Sequence, residues 1–176
     1  MTIKNFLKLQ VFALLFAAII SPLSALAGTN SKQATIEFAL GTYEVPGVKA
    51  ECAPSYYGGT ITGIGTGSIT VNGKSESLGV LSLTANDCIA QLDASHFTAK
   101  GNLTLSAGTG NNIMAHYSVS FVPTDSPPIY KYENFTFQIT GGTGRFKGVN
   151  GSGTADGTSN IVTGLGFVEG IIHISN

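Results

Sequence analysis

The stretch NFTFQITGGTGRFKGVNGSGTADG, residues 134–157, contains the clearest strand–turn–strand pattern of the chain. Within it Phe135, Phe137 and Ile139 alternate with polar residues, as they do when one face of a β-strand is buried and the other meets solvent. A glycine-rich turn follows, and glycine adopts positive φ without a steric penalty. The alternation then resumes over residues 145–149. The stretch therefore predicts a β-hairpin with a glycine-rich second arm.

The same two-residue period recurs along the chain. It is longest over residues 96–105 and 113–121, and Asn72-Gly73 is a strong signal for a two-residue hairpin turn. No stretch keeps a helical period. Glycines recur inside the predicted strands, where tight coiling needs them, and this favours closure of the sheet. We therefore predict an all-β fold, a single antiparallel β-barrel of about eight strands, with a β-sandwich as the alternative.

Three predicted boundaries affect where a site would lie. Residues 34–40 alternate cleanly and predict the first strand, whereas residues 45–59, with two prolines and a Gly-Gly pair, predict a loop. Residues 77–84 predict a strand that is buried on most of both faces. Asn86-Asp87 is then expected to turn the chain.

The N-terminus has the features of a secretory signal peptide. Lys4 and Lys8 precede an apolar run over residues 11–20, and Ala25-Leu26-Ala27 is a small-residue cleavage site. The apolar run is shorter than the ~20 residues that span a bilayer, so a retained anchor is disfavoured and no transmembrane segment is predicted after cleavage. We predict a signal peptide over 1–27, a single domain over 28–176, and export to the periplasm or the cell exterior.

The charge of the domain excludes some partners. Two of the nine basic residues leave with the signal peptide while all ten acidic ones remain, so the domain carries 7 − 10 = −3. A strongly basic nucleic-acid surface is therefore absent, and anionic membrane headgroups are poor partners. An outer-membrane barrel is disfavoured as well, because the outward-facing candidates are mostly polar and no aromatic girdle is evident.

Two cysteines lie in the domain, Cys52 and Cys88. An exported protein meets an oxidising compartment, so we predict a disulfide between them. A metal or redox pair is the less favoured alternative, because the chain has no CxxC and no zinc-type spacing.

A candidate ligand site rests on aromatic residues near the predicted loops. Loops at the mouth of a barrel are common places for ligand sites, and residues 43–59 and 123–132 frame one such end. Packing of the loops on their prolines explains the same residues without a ligand. The candidate ligand-binding residues are Tyr43, Tyr56, Tyr57, Tyr130 and Tyr132.

No pattern identifies a catalytic residue, a cofactor or a metal ion. The glycine-rich turn lacks the P-loop spacing and the helix that phosphate binding needs, and no G-x-S-x-G or H-E-x-x-H motif is present. The three histidines are predicted at the surface, although His173 shares a strand face with Glu169. The aspartates occupy turn-like positions that Asx turns explain; they are Asp87, Asp93, Asp125 and Asp156.

The segment FQITGGTGRFKG, residues 137–148, resembles the GGTGRF-type hairpin of the allene oxide cyclase and dirigent barrel group. It is even more similar to small exported bacterial proteins of unassigned function that share the hairpin, and residues 63–67, 77–79 and 83–86 fit those proteins in order. The resemblance implies an eight-stranded antiparallel barrel, dimeric or trimeric in the plant proteins. It carries no active-site residue across.

Function is left between three hypotheses. The first is an exported barrel that binds a ligand, with a small apolar molecule as its partner, or assembles at the surface or in the periplasm without catalysis. The second is a cyclase-like or dirigent-like enzyme or guide protein for a small apolar substrate. The third is an oligomeric structural protein, a homo-oligomer. A continuous apolar pocket that contains a buried Glu, Tyr or His would favour the second, and a lumen filled by Leu, Ile and Phe would leave only surface binding.

Overall fold

A computed structural model of the protein describes residues 33–176, which form one closed barrel of eight antiparallel strands in which each strand pairs with its sequence neighbours and the last pairs with the first. The predicted barrel is confirmed, and the sandwich alternative is wrong. The predicted signal peptide lies outside the described residues. The strands are β1 (Gln33–Val48), β2 (Tyr57–Val71), β3 (Lys74–Gln91), β4 (Phe97–Ala107), β5 (Asn112–Pro123), β6 (Ile129–Gly142), β7 (Asn150–Asn160) and β8 (Leu165–Ser175).

The hairpin predicted over residues 134–157 forms, but its second arm differs from the prediction. Phe137 and Ile139 are buried on the inner face of β6 and Phe135 is half-buried. The segment after the glycines is a short 3-10 turn, Gly144–Phe146, and the second strand begins only at Asn150. The prediction that alternation resumes at residue 145 is therefore wrong, because the turn folds Phe146 into the core instead.

The amides of this turn are bonded within the protein. The Arg145 amide donates to Asn111 Oδ1 at 2.9 Å, and the Phe146 and Lys147 amides donate to backbone carbonyls of the turn itself. An anion-binding turn needs free N–H groups. The geometry agrees with the sequence-based preference for a structural turn.

Two predicted strand ends are wrong. β1 continues to Val48, into the first part of the predicted loop, and β3 continues to Gln91 through the predicted Asn86-Asp87 turn. Asn86 pairs with Thr60 of β2 and with Asn102 of β4. Because both neighbours supply backbone hydrogen bonds there, pairing outweighs the local turn preference.

Glycines and large residues share the interior. The inner faces of β2 and β7 are rich in glycine, and the facing strands supply the bulk of the core. Side chains on the outer faces are exposed, including Val80, which is 63% exposed and shows that β3 is not buried on both faces. The largest fully buried side chains are Ile36, Leu40, Leu81, Ile113 and Ile172.

The two ends of the barrel differ. One end, closed in part by the buried Phe146 and Val149, carries the β6–β7 connection. The other end, which we call the open end, carries the loops that follow β1, β3, β5 and β7. A disulfide between Cys52 and Cys88 ties the first of these loops to β3, as predicted. Among residues 33–176 no helix has the length and apolar character to cross a membrane.

Candidate functional site

Glu44 points into the open end of the barrel. It continues the inward-facing series of β1, in which Ile36, Phe38 and Leu40 are buried and every second residue faces the interior. Since β1 extends to Val48, this period carries a carboxyl group into an otherwise largely apolar lumen. No ion pair within residues 33–176 involves the Glu44 carboxyl.

Asp87 faces the same space from β3. It follows the inward residues Leu81 and Ala85 and is only 4% exposed. Its Oδ1 accepts a hydrogen bond from the Gly59 amide at 2.6 Å, and its Oδ2 accepts one from the Tyr117 hydroxyl at 2.8 Å. Both carboxylate oxygens are thereby held in a fixed orientation.

Glycine at position 59 allows the two carboxyl groups to approach each other. A Cβ on Gly59 would lie 2.2 Å from Glu44 Oε1 and 3.0 Å from Asp87 Oδ1. A larger residue would therefore displace the Glu44 side chain and crowd Asp87. The absence of a side chain at Gly59 therefore leaves room for both carboxyl groups in the same part of the lumen.

The pKa of Glu44 is raised from its ordinary value of 4.5 to about 7, mainly by burial and next by the neighbouring Asp87 charge, while Lys49 opposes both effects. Burial also raises the pKa of Asp87, although the hydrogen bonds from Tyr117 and Gly59 favour its charged form. Burying a carboxylate without a counterion disfavours ionisation, as does a second carboxyl group nearby. Near neutral pH the Glu44 carboxyl is therefore divided between its protonated and ionised forms.

Two tyrosines complete the polar part of the site. Burial raises the pKa of Tyr117, and the Asp87 charge next to it acts in the same direction. Burial raises the pKa of Tyr132 to about 12, despite its side-chain hydrogen bonds with Ser159 and Thr42. Both hydroxyl groups are therefore neutral donors at physiological pH.

These groups line a funnel-shaped cavity at the open end. An outer cavity of about 200 Å³ and an inner one of about 50 Å³ share four lining residues, among them Glu44 and Phe121. The outer cavity is lined by Glu44, Pro46, Tyr57, Ile89, Phe97, Phe121, Ser159, Ile161 and Gly164. Asp87, Tyr117 and Tyr132 line the inner one. Below it lies a third cavity of about 30 Å³ that is lined only by apolar side chains.

Lys49 lies next to the carboxyl groups without pairing with them. Its Nζ donates to the Gly59 carbonyl and to Asn86 Oδ1 at 3.2 Å. Among the ion pairs of residues 33–176 none joins Lys49 to Glu44 or Asp87. The buried acidic pair is thus left without a direct basic partner in this part of the chain.

The structure brings two of the five predicted tyrosines to the cavities. Tyr57 lines the outer cavity and Tyr132 the inner one. Tyr43 and Tyr56 are about half exposed, and the Tyr130 ring packs 6.0 Å from that of Phe97. The expected end of the barrel does contain a cavity, and the role of these tyrosines in binding stays a prediction.

The histidines occupy separate surface positions. The ring of His96 contacts Asp93, that of His116 contacts Asn102, and that of His173 contacts Thr35. Asp93 forms the predicted Asx turn, with the amides of residues 95 and 96 bonded to its Oδ1. Within residues 33–176 no three metal-ligating side chains converge.

Sequence reasoning missed Glu44 and placed Asp87 wrongly in a turn. A usable signal was present, because the alternation of 36, 38 and 40 continues to 44, and that of 81, 83 and 85 continues to 87. Pro46 and Asn86-Asp87 favour a loop or a turn locally, so the sequence predicts strand ends that are too early in both places. Asp156-Gly157 was misread in the same way, since both residues lie inside β7.

Replacing Glu44 with glutamine is expected to change how stability depends on pH. The pKa of Glu44 is about 7 in the folded protein and 4.5 ordinarily. Between these two pH values folded Glu44 binds more protons than unfolded Glu44, so the free energy of unfolding falls as the pH rises from one to the other. Urea unfolding should show Glu44→Gln more stable than the parent by about 2 kcal/mol at pH 8, after allowance for partial exposure, and equal to it near pH 4.

The matched control for this prediction is Glu169→Gln, an exposed outer-face position on β8, which should leave the shape of the pH profile unchanged. Asp87 titrates in both proteins, so the difference between them measures the Glu44 charge together with its interaction with Asp87. A Glu44→Gln profile parallel to that of the parent across this range would contradict the prediction.

Similarity to known proteins is found at the level of structure. No protein-family model matches the chain, and no curated protein matches it significantly. A solved structure, that of the pterocarpan synthase dirigent protein GePTS1, is similar over 93% of this chain and 99% of that chain, with 16% sequence identity and a TM-score of 0.47. The closed barrel of this chain is defined by its own strand pairing.

Proposed function

We propose that the open end of the barrel binds a small, largely apolar molecule and that Glu44 and Asp87 hold a polar group of that molecule. The observation that carries the proposal is the funnel-shaped cavity, in which an apolar mouth leads to two carboxyl groups. Ligand sites of this kind combine apolar walls with a few well-placed polar groups. The cavity is smaller than the roughly 300–1,000 Å³ of drug-sized sites, so the ligand is a molecule of one or two rings.

The position of Ile161 allows a direct test. Ile161 lines the outer cavity and is 49% exposed, so a larger side chain there can fill the mouth without disturbing the core. We expect Ile161→Trp to weaken binding of the two-ring probe 2-naphthol at least tenfold, measured by fluorescence titration. Val162→Trp is the matched control, because Val162 is 77% exposed and faces solvent.

Thermal melts of both variants establish that the fold is kept. Equal weakening by the two substitutions, or no binding of 2-naphthol to the parent protein at millimolar concentration, would contradict the proposal.

Proton-transfer catalysis is the second candidate function. It is favoured by one observation, that Glu44 has a pKa of about 7 beside a second buried carboxyl group. A general base is most effective when its pKa lies near the working pH. The site is also a largely apolar pocket with a buried acid and tyrosines, which is the arrangement that the sequence-based hypotheses connect with an enzyme.

A small two-ring probe, 5-nitrobenzisoxazole, tests this second candidate. A carboxylate removes the proton from its ring carbon, the N–O bond breaks, and the product is a nitrile with a phenolate. We expect a rate above that of buffer that rises through pH 7, and at least a tenfold loss in Glu44→Gln. Glu169→Gln should keep the parent rate, and equal rates in all three proteins would exclude Glu44 as the base.

We further propose that the protein acts after export, to the periplasm or beyond the cell. The disulfide between Cys52 and Cys88 supports this, since such bonds persist in oxidising compartments, as do the signal-peptide features of residues 1–27. Mass spectrometry of the protein from its native source should find an N-terminus at Gly28.

Self-association is a related proposal. Several apolar side chains on the outer wall of β2, β3 and β8 are exposed, and exposed apolar surface of this kind is common at protein interfaces. Light scattering on the purified protein should give a mass that is a multiple of the monomer. The exposed side chains are Ile64, Val80, Phe167 and Ile171.

A further inference from the structure

The walls of the outer cavity are aromatic on more than one side. Phe97 of β4, Phe121 of β5 and Tyr57 of β2 line it, and the Tyr132 ring packs edge-on against Phe121 at 5.4 Å. Aromatic faces attract cations through their quadrupole, most strongly where water is excluded. The walls therefore favour a positively charged group as well as an apolar one.

The floor of the funnel is acidic, and no ion pair of residues 33–176 neutralises it. Glu44 and Asp87 meet there, and among the described residues that line the outer and inner cavities none is basic. Tyr117 and Tyr132 are neutral donors, and Lys49 is bonded to a carbonyl and to Asn86 instead. A cation that enters the cavity would find the Glu44 carboxyl without an ion-pair partner in residues 33–176, and the charge of the cation would favour the ionised form.

We propose that the ligand is an organic ammonium ion, a protonated amine joined by a short chain to an apolar ring, with the ammonium group between Glu44 and Asp87 and the ring in the outer cavity. The proposal rests on the proposed binding function and names its ligand class. An ammonium group supplies the hydrogen-bond donors that a carboxyl pair accepts. The aromatic walls hold the ring and the adjoining charge together.

Three probes of nearly equal size separate charge from shape. They are 2-phenylethylamine, which is cationic, 2-phenylethanol, which is neutral, and phenylacetate, which is anionic. In calorimetric titrations of the purified protein at pH 7 we expect the amine to bind at least about tenfold more tightly than the alcohol. Phenylacetate should not bind measurably, because a second anion is repelled by the carboxyl pair.

Glu44→Gln keeps the shape of the side chain and removes its charge. We expect it to reduce the advantage of the amine over the alcohol at least tenfold, because the amine loses a charged partner and the neutral alcohol does not. Glu169→Gln, on the outer face of β8, is the control and should retain the full advantage.

Each outcome bears on a different proposal. An alcohol that binds as tightly as the amine, or an amine advantage that survives Glu44→Gln, would overturn the ammonium assignment and leave the binding function standing. If none of the three probes binds and 2-naphthol does not bind either, both proposals fail.

Discussion

Gly65→Ala is expected to destabilise the barrel by more than about 4 kcal/mol, most of the stability of a marginally stable domain. Gly65 faces inward on β2 and pairs with Leu40 of β1. A Cβ there would lie 1.9 Å from the Ala39 carbonyl oxygen and 2.8 Å from the Leu40 Cα. Both are backbone atoms, so relief requires the two strands to separate. Urea unfolding followed by circular dichroism measures the change.

Gly47→Ala is the matched control. Gly47 lies on β1 with no atom within 4 Å of the position of a Cβ, so the substitution should change stability by less than about 0.5 kcal/mol. Comparable losses in both variants would show that the effect is a general cost of replacing strand glycines. It would then not come from the close contact of β1 and β2.

Removing the disulfide is expected to have the next largest effect. Cys52 and Cys88 are 36 residues apart in sequence, and in the chain-entropy description a loop of that length stabilises the folded state by about 3 to 4 kcal/mol. The double variant Cys52→Ala, Cys88→Ala should lose this amount in urea unfolding. It should also bind 2-naphthol less tightly, because Cys88 adjoins Asp87 and Cys52 Sγ lies 3.5 Å from the Asp87 carbonyl oxygen.

Reduction provides an independent check on the same bond. Dithiothreitol should lower the stability of the parent protein to that of the double variant and should leave the double variant unchanged. A loss below about 1 kcal/mol in both experiments would contradict the expectation.

Much of the fold could be predicted because burial along a strand is a local, periodic property. The alternation around Phe137 and along residues 113–121 identifies core faces correctly, and Asn72-Gly73 forms the predicted hairpin with positive φ at both residues. Glycines inside the strands correctly predicted that the sheet closes into a barrel, because neighbouring backbones approach closely there. At Gly65 the barrel brings two backbones closer than any side chain allows.

The strand ends were less predictable because they depend on partners. Pro46 and Asn86-Asp87 favour turns when judged locally. Pro46 nevertheless lies in β1 opposite Gly59 of β2, and Asn86 lies in β3 between Thr60 of β2 and Asn102 of β4. The GGTGRF segment shows the reverse case. Its alternating residues suggest a strand, but Phe146 is buried by a 3-10 turn, since the core has room for a ring at that end.

By itself the sequence determined the all-β class, most core faces and the cysteine pair, because alternation and cysteine count are properties of the chain. Only the tertiary structure decided the candidate site. Glu44, Asp87 and Tyr117 lie on three strands and are far apart in sequence, and each alone continues an inward-facing series. Closure of the sheet sets the register between strands, and that register decides which inward side chains reach the same height in the lumen.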